Sequence, residues 1–332
     1  MTSPTPPVLA LPRASEDLTS RLSAGLDQVE ALIIERTRDE DDFITEASLH
    51  LTRAGGKRFR PMLTMLVAEL GEGINDKVVA AAAGVELTHL ASLYHDDVMD
   101  DADMRRGAPS ANRRWDNSIA ILVGDYLFAR ASTTVADLGT DYVRLQAETF
   151  ARLVQGQIAE TRGPQEGDDP LDHYLQVVAD KTGSLIATSA VFGGMVAGAS
   201  DEVLTALDAF GEEIGVVFQL SDDIIDITST VTGKTPGTDL REGVPTLPTL
   251  MLQASTDPAD EPLKQLIASD LSDDDKLSET LAALRAHRVI DQARREVQRH
   301  ADLALSHLAP LPEGHAKTAL AKICNDLVSR SV

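Results

Sequence analysis

The sequence predicts an all-α chain, a single bundle of many helices. Three observations carry this. Apolar residues recur at three- and four-residue spacing through most of the chain. Alternating runs of β-branched residues are missing. Hydrophobic residues make up 43% of the 332 positions but aromatics only 4%, so Ala, Leu and Val build the core, and Ala and Leu are strong helix formers.

The elements follow in order. Residues 1–14 hold Pro4, Pro6, Pro7 and Pro12 and read as a flexible arm, with one helical domain over 15–332. Ser15 with Asp17 makes a helix start, and Leu18, Leu22, Leu26, Val29, Leu32 and Ile33 continue its apolar stripe. Further helices are expected at 43–53, 61–71, 76–100, 117–138, 141–162, 171–181, 183–199, 201–228, 245–254, 260–269, 276–308 and 315–330. Breakers fall where connections are needed: Gly55-Gly56, Gly71-Glu72-Gly73, Gly163-Pro164 through Pro170, Gly233 through Gly237, and Asp257-Pro258.

The formal charge is −23, with no basic stripe, which argues against a nucleic-acid partner. An acidic chain that binds an anion needs local Lys and Arg or a bound metal. The one cysteine, Cys324, allows no intrachain disulfide and reads as a small apolar residue of a C-terminal helix. A reducing, cytoplasmic setting is expected, without a secretory leader. The most membrane-like stretch, 185–198, is too short and too rich in small residues to span a bilayer.

Two stretches share the pattern Asp-Asp-x-x-Asp: Asp96-Asp97-Val98-Met99-Asp100, and Asp222-Asp223-Ile224-Ile225-Asp226. On a helix, residues four apart lie on one face, so Asp96 stacks with Asp100 and Asp222 with Asp226. Like charges so placed repel, and both stretches follow strongly apolar runs, where carboxylates need compensation. Hard divalent cations supply it. An oxygen-only set with few protein ligands per ion suits Mg²⁺ completed by water and substrate phosphate. The spacing is not that of an EF-hand.

Basic groups complete the pattern. Gly55-Gly56-Lys57-Arg58-Phe59-Arg60-Pro61 leads into a helix, with Pro61 in its first turn. The glycines allow backbone to approach an anion, and Lys57 and Arg60 stand near a helix start. Arg105 and Arg106 follow the first motif; adjacent guanidiniums point in different directions and can serve two anions. Lys181-Thr182 and Lys234 are further candidates. His89 lies one heptad before Asp96, on roughly the same face.

In the order and spacing of these motifs the chain resembles the trans-prenyl diphosphate synthases. The resemblance runs from about Gly55 to Pro248 and takes in Gly-Gly-Lys-Arg-x-Arg-Pro, Asp-Asp-x-x-Asp with Arg-Arg-Gly, Lys-Thr, Phe-Gln-x-x-Asp-Asp-x-x-Asp and Gly-Lys-x-x-Gly-x-Asp. It implies a helical bundle around a central active-site cavity, three Mg²⁺ per site, a homodimer, and condensation of isopentenyl diphosphate with an allylic prenyl diphosphate. Asp96, Asp97, Asp100 and Asp222 would hold the metals, supported by Asp223 and Asp226. Arg105, Lys181 and Lys234 would hold the allylic diphosphate. Lys57, Arg60, His89 and Arg106 would hold isopentenyl diphosphate, and Thr182 and Gln219 would line the reacting carbons. The departing pyrophosphate would act as base.

The helix before the first motif carries Thr88, Ala91 and Ser92, with Gly84 below them. Short-product members of the family tend to place aromatics four or five residues before that motif. The small residues here predict a channel for a product of six to ten isoprene units (about C30–C50), of the kind carried by a quinone, released with peripheral membrane contact. Two positions depart from the family pattern: Val244 where a Lys is common, and Gln157 where Gly-Glu is common. Alternatives are a short-chain synthase, a terpene cyclase, and a non-catalytic synthase subunit. The second Asp-Asp-x-x-Asp and the basic set speak against the last two.

Overall fold

The computed structural model describes residues 16–229 and 236–330. The predicted arm over 1–14 and the candidate Lys234 lie outside the described residues. Among the described residues the chain is helical throughout, apart from one two-stranded hairpin. In order the elements are α1 (Glu16–Thr37), α2 (Asp42–Ser48), α3 (His50–Arg53), α4 (Phe59–Ala68), α5 (Asp76–Met99), β1 (Met104–Arg105), β2 (Ala108–Pro109), α6 (Ala111–Arg114), α7 (Asn117–Ala136), α8 (Thr140–Arg162) and α9 (Pro170–Val178). A single π turn, Ala179–Gly183, leads into α10 (Ser184–Val196). The rest are α11 (Asp201–Thr228), α12 (Thr238–Glu242), α13 (Leu247–Ala254), α14 (Glu261–Ile267), α15 (Asp274–Ala286), α16 (Arg288–His307) and α17 (His315–Ser329).

Helix starts are fixed by side-chain oxygens that accept the unpaired first N–H groups. Asn75 accepts from Lys77 and Val78 at 3.0 and 3.1 Å, Asp116 from Ile119 at 2.8 Å, and Asp273 from Lys276 at 2.9 Å. Asp169 accepts from Leu171 at 2.8 Å, and Pro170 opens α9 where no donor is missed.

The chain divides into two compact units. Of the described residues, the first comprises 16–151, 185–208 and 310–320; the second comprises 152–184, 209–229, 236–309 and 321–330. In the first unit α5 packs along α7. Gly84 abuts the Val135 side chain and Gly124 the His95 ring, so the absent Cβ atoms are what let the two helices approach. Gly84 is therefore a packing contact rather than the channel wall the sequence suggested. Tyr94, fully buried, donates to Ala47 O at 2.5 Å and ties α5 to α2. Thr64 of α4 donates to Ser189 O of α10 at 2.9 Å, and Gly193 lies against α4.

The apolar stretch 185–198 falls mostly in α10, and Leu185, Ile186, Ala187, Ala190 and Phe192 are buried. The helix long and apolar enough to cross a membrane by length and composition is instead α7. The sequence reading singled out 185–198 for its lack of charged residues, whereas α7 carries Asp125 and Arg130.

In the second unit, Val289, Ile290, Ala293, Val297, Ala301 and Ala304 make the buried stripe of α16. Cys324 is buried, and its thiol reaches Ala301 O at 3.4 Å. Burial pushes that thiol up to about 12, in keeping with a structural residue. The π turn is held on two sides. A Cβ on Gly156 would stand 2.8 Å from Lys181 N, and one on Gly215 would press into Gly183 backbone. Arg152 ties α8 to the turn at Asp180, 2.5 Å away, and to Glu212 of α11.

Gly215→Val should therefore be costly, because backbone rather than a movable side chain opposes the new atoms. The expected loss is about 1–3 kcal/mol, measured by urea unfolding. Wild-type stability would show that the turn can yield.

Candidate active site

The first aspartate motif closes α5. Ala81, Ala82, Ala83, Leu87, Leu90 and Ala91 are fully buried, so packing fixes the helix right up to the motif. Asp100 ends it, with its N–H on Asp96 O at 2.8 Å, and Asp101 turns into the left-handed region at φ 47°. Asp97 is completely buried, Asp96 half-buried and Asp100 exposed. Arg105 Nε donates to Asp97 Oδ1 at 2.6 Å, and its Nη2 stands 3.9 Å from Asp100. Burial raises the Asp97 carboxyl above its ordinary range, against the opposing pull of Arg105. Its Oδ2 is sealed from solvent without a well-formed hydrogen bond.

Arg105 and Arg106 arrive on a β-hairpin that the sequence reading lacked. Met104 pairs with Pro109 and Arg105 with Ala108. The two loop residues, Arg106 at φ 54° and Gly107 at φ 76°, are both left-handed, as a type I′ turn requires. The turn sends the guanidiniums apart. Arg105 goes back to the motif; Arg106 donates to Leu51 O at 3.1 Å and to Gly55 O.

Around Arg106 a basic pocket forms. Glu86, buried on α5, lies 3.0 Å from Arg58 and 3.8 Å from Arg106. Arg58, itself left-handed, also forks onto Glu30 at 2.8 and 2.9 Å. Burial pushes the Arg60 guanidinium down to about 10, with Arg106 adding to the shift and Glu86 resisting it. Burial first, then Arg60, Arg106, Arg58 and Arg105, holds the His89 imidazole well below its usual range, so it is neutral at pH 7. Cations outnumber their two glutamates, which is the electrostatics of an anion site. Lys57 is exposed at the pocket's glycine loop.

In the second unit α11 carries the other motif. Asp222 and Asp226 are half-buried; Asp223 is buried. Three groups donate to Asp223: Leu247 N–H at 2.9 Å, Gln219 Nε2 at 3.2 Å and the Tyr174 hydroxyl. Burial still raises its carboxyl to about 6. Asp223 thus joins α11 to α9 and α13, and the Gln219 amide is spent on it. Asp222 lies 3.5 Å from Arg330, whose guanidinium also sits 5.9 Å above the Phe218 ring. Lys181 and Thr182 occupy the π turn, where Lys181 Nζ meets Glu160 at 2.6 Å. Such turns are frequent at functional sites. Gln157 Oε1 is sealed without a partner. Val244 is exposed.

The donors fit a divalent cation that shares its coordination with substrate. Each motif offers carboxylates, with the first and last of each less buried than the middle one. Among the described residues no three Asp, Glu, His or Cys side chains converge to cage an ion on their own. Mg²⁺ is commonly held this way, by one or two carboxylates plus phosphate.

The model of the family described as polyprenyl synthetase matches residues 41–284. The chain belongs to the polyprenyl synthetase family. This membership makes it a prenyltransferase. It is 46% identical over 310 residues to the nonaprenyl diphosphate synthase of Mycobacterium tuberculosis, covering 92% of each chain. It is 30% identical to the octaprenyl diphosphate synthase of Escherichia coli, over 95% of this chain and 97% of that one. Among solved structures, a geranylgeranyl pyrophosphate synthase from Corynebacterium glutamicum, complexed with calcium and isoprenyl diphosphate, matches with a TM-score of 0.86 at 46% identity, over 95% of this chain and 98% of that one. The all-α isoprenoid synthase fold of the family is the fold found here.

Of the family residues expected from sequence, the first unit assembles Asp96, Asp97, Asp100, Arg60, His89, Arg105 and Arg106. The second holds Lys181, Thr182, Gln219, Asp222, Asp223 and Asp226. Sequence reading missed Arg58, Glu30, Glu86, Tyr174 and Arg330. Glu86 had a signal: it lies one helical turn before His89, on a helix otherwise apolar for two turns.

The Asp223 carboxyl predicts a pH dependence. Its ordinary value is 3.8 and its folded value about 6, so the folded chain holds this proton where the unfolded chain releases it. The resulting stability is full below pH 3.8 and lost as pH rises through 6. In a metal-chelated sample, Asp223→Ala should destabilise by about 1 kcal/mol more at pH 5 than at pH 8, read from urea midpoints. A pH-independent difference would mean that the buried carboxyl is already ionised.

Proposed function

We propose that this family member condenses isopentenyl diphosphate with an allylic prenyl diphosphate, with Mg²⁺, and makes a long trans-polyprenyl diphosphate. The observation that carries the reading is the separation of two anion-handling devices on α5: carboxylates at its end, and a basic pocket around His89 and Arg106. A reaction with two diphosphate substrates needs both.

Asp96, Asp97 and Asp100 would hold Mg²⁺ against the allylic diphosphate, and Asp222 and Asp226 would supply metal ligands to the same reaction. The bound metal would stabilise charge on the leaving pyrophosphate. Arg105, tied to Asp97, would meet oxygens of that group, joined by Lys181 and Lys234. Arg60, Arg106, Lys57 and the neutral His89 N–H would orient isopentenyl diphosphate for attack by its double bond. Burial around the pocket makes each such contact stronger than in water.

Three supports favour a long product. Ala91 and Ser92 put no bulk beside the motif. The nonaprenyl and octaprenyl synthases align over nearly their whole length. Thr88, two turns below Asp96, is small and buried, with Gln146 donating to it at 3.1 Å. A homodimer is supported by α7, which exposes the large apolar side chains of Ile121 and Leu122. A cytoplasmic setting agrees with a free buried cysteine.

Asp96→Ala and Asp222→Ala should each lower turnover about a thousandfold or more at saturating Mg²⁺. Steady-state assays with each substrate varied should also show Arg106→Ala weakening mainly isopentenyl diphosphate. Near-normal turnover in either aspartate variant would end the assignment.

Product length is read separately, by mass spectrometry of extracted products. Wild type should yield about six to ten isoprene units, and Ala91→Phe or Ser92→Phe should stop after the first additions. Wild-type product of fifteen or twenty carbons would make this a short-chain enzyme.

A further inference from the structure

We propose that His50, remote from the aspartates in sequence, is a positioning residue for the second diphosphate. It rests on the two-substrate reading above. The imidazole, buried at the start of α3, makes two directional contacts. Arg114 Nη1 stands 2.9 Å from Nδ1, and Pro109 O stands 2.7 Å from Nε2. A guanidinium only donates, so Nδ1 accepts; Nε2 then carries the hydrogen and donates to the carbonyl. The two partners determine the tautomer between them.

Pro109 is the end of β2, and the turn of that hairpin presents Arg106. The next residue after His50, Leu51, takes the Arg106 guanidinium on its carbonyl at 3.1 Å. Thus α3 meets the hairpin at two points, once at its base through His50 and once at its apex through Arg106. Arg105 does not depend on this brace, because it is anchored on α5 through Asp97 at 2.6 Å. The imidazole also packs edge-on to Trp115 at 5.2 Å, while Glu46 takes the second amino group of Arg114. His50 is therefore held from behind, and its Nε2–H sets where β2 lies. Losing that bond frees the apex that carries Arg106 and leaves Arg105 in place.

The test uses the full-length enzyme and three variants. A glutamine side chain reaches the Nε2 position with an amide N–H, and an asparagine reaches only the Nδ1 position. His50→Ala and His50→Asn should raise the KM for isopentenyl diphosphate about three- to tenfold, the size of one lost hydrogen bond. The KM for the allylic diphosphate and kcat should stay within about twofold. His50→Gln should restore most of the lost affinity. Two results overturn the proposal. One is an unchanged isopentenyl diphosphate KM in both His50→Ala and His50→Asn. The other is an equal rise in both KM values with no recovery in His50→Gln, which a merely structural residue would give. Failure of wild type to consume isopentenyl diphosphate would instead remove the functional reading beneath it.

Discussion

A buried carboxylate sets the terms for the first unit. Glu86 follows the apolar run 78–85 of α5, and Arg58 and Arg106 converge on it. Without it, Glu30 alone would face several guanidiniums in a poorly solvated wall, at a cost that burial alone does not return. With it, Arg58 is spent on glutamates, and Arg60, Arg106 and His89 are left in excess. Burial first, and those guanidiniums after it, hold the His89 imidazole well below its usual range. An anion entering the pocket relieves repulsion that the fold already stores, which is the form of electrostatic preorganisation.

The two aspartate motifs are alike in sequence and differ in their supports. In each, the second carboxylate faces the protein interior and the first and last lie nearer solvent. Asp97 is steadied by a cation, Arg105; Asp223 by neutral donors from Tyr174, Gln219 and Leu247. The middle residue therefore anchors the motif, and the outer pair is presented. Helical geometry explains the division, since neighbours on a helix are about 100° apart and cannot both face outward.

Much of this was legible. Spacing placed α5, α8 and α11 within a residue or two because long amphipathic or buried runs leave few other readings. The predicted helix 276–308 is two helices, because His287 is extended and its ring accepts the Val289 N–H as a cap. Histidine is not among the residues read as caps. Likewise 43–53 breaks at Leu49, which is neither Gly nor Pro. The π turn packs at Gly183 against Gly215, a neighbour distant in sequence that local spacing does not reveal. The hairpin was missed because Arg-Gly replaces the usual Asn-Gly at its turn. The motifs named the candidate ligands, but not the side chains around them: Arg58, Glu86 and Tyr174 act through partners far along the chain.

The packing behind the hairpin has an optical consequence. The chain has one tryptophan, and Trp115 lies under the Arg114 guanidinium at 4.5 Å, edge-on to His50 and Phe43. Indole emission responds to nearby charge, so all of the tryptophan fluorescence comes from one ring beside the brace. Substrate entry that shifts Arg106 and its turn pulls on the same stack. The chain carries, without any label, a light source at the base of the hairpin that presents Arg106.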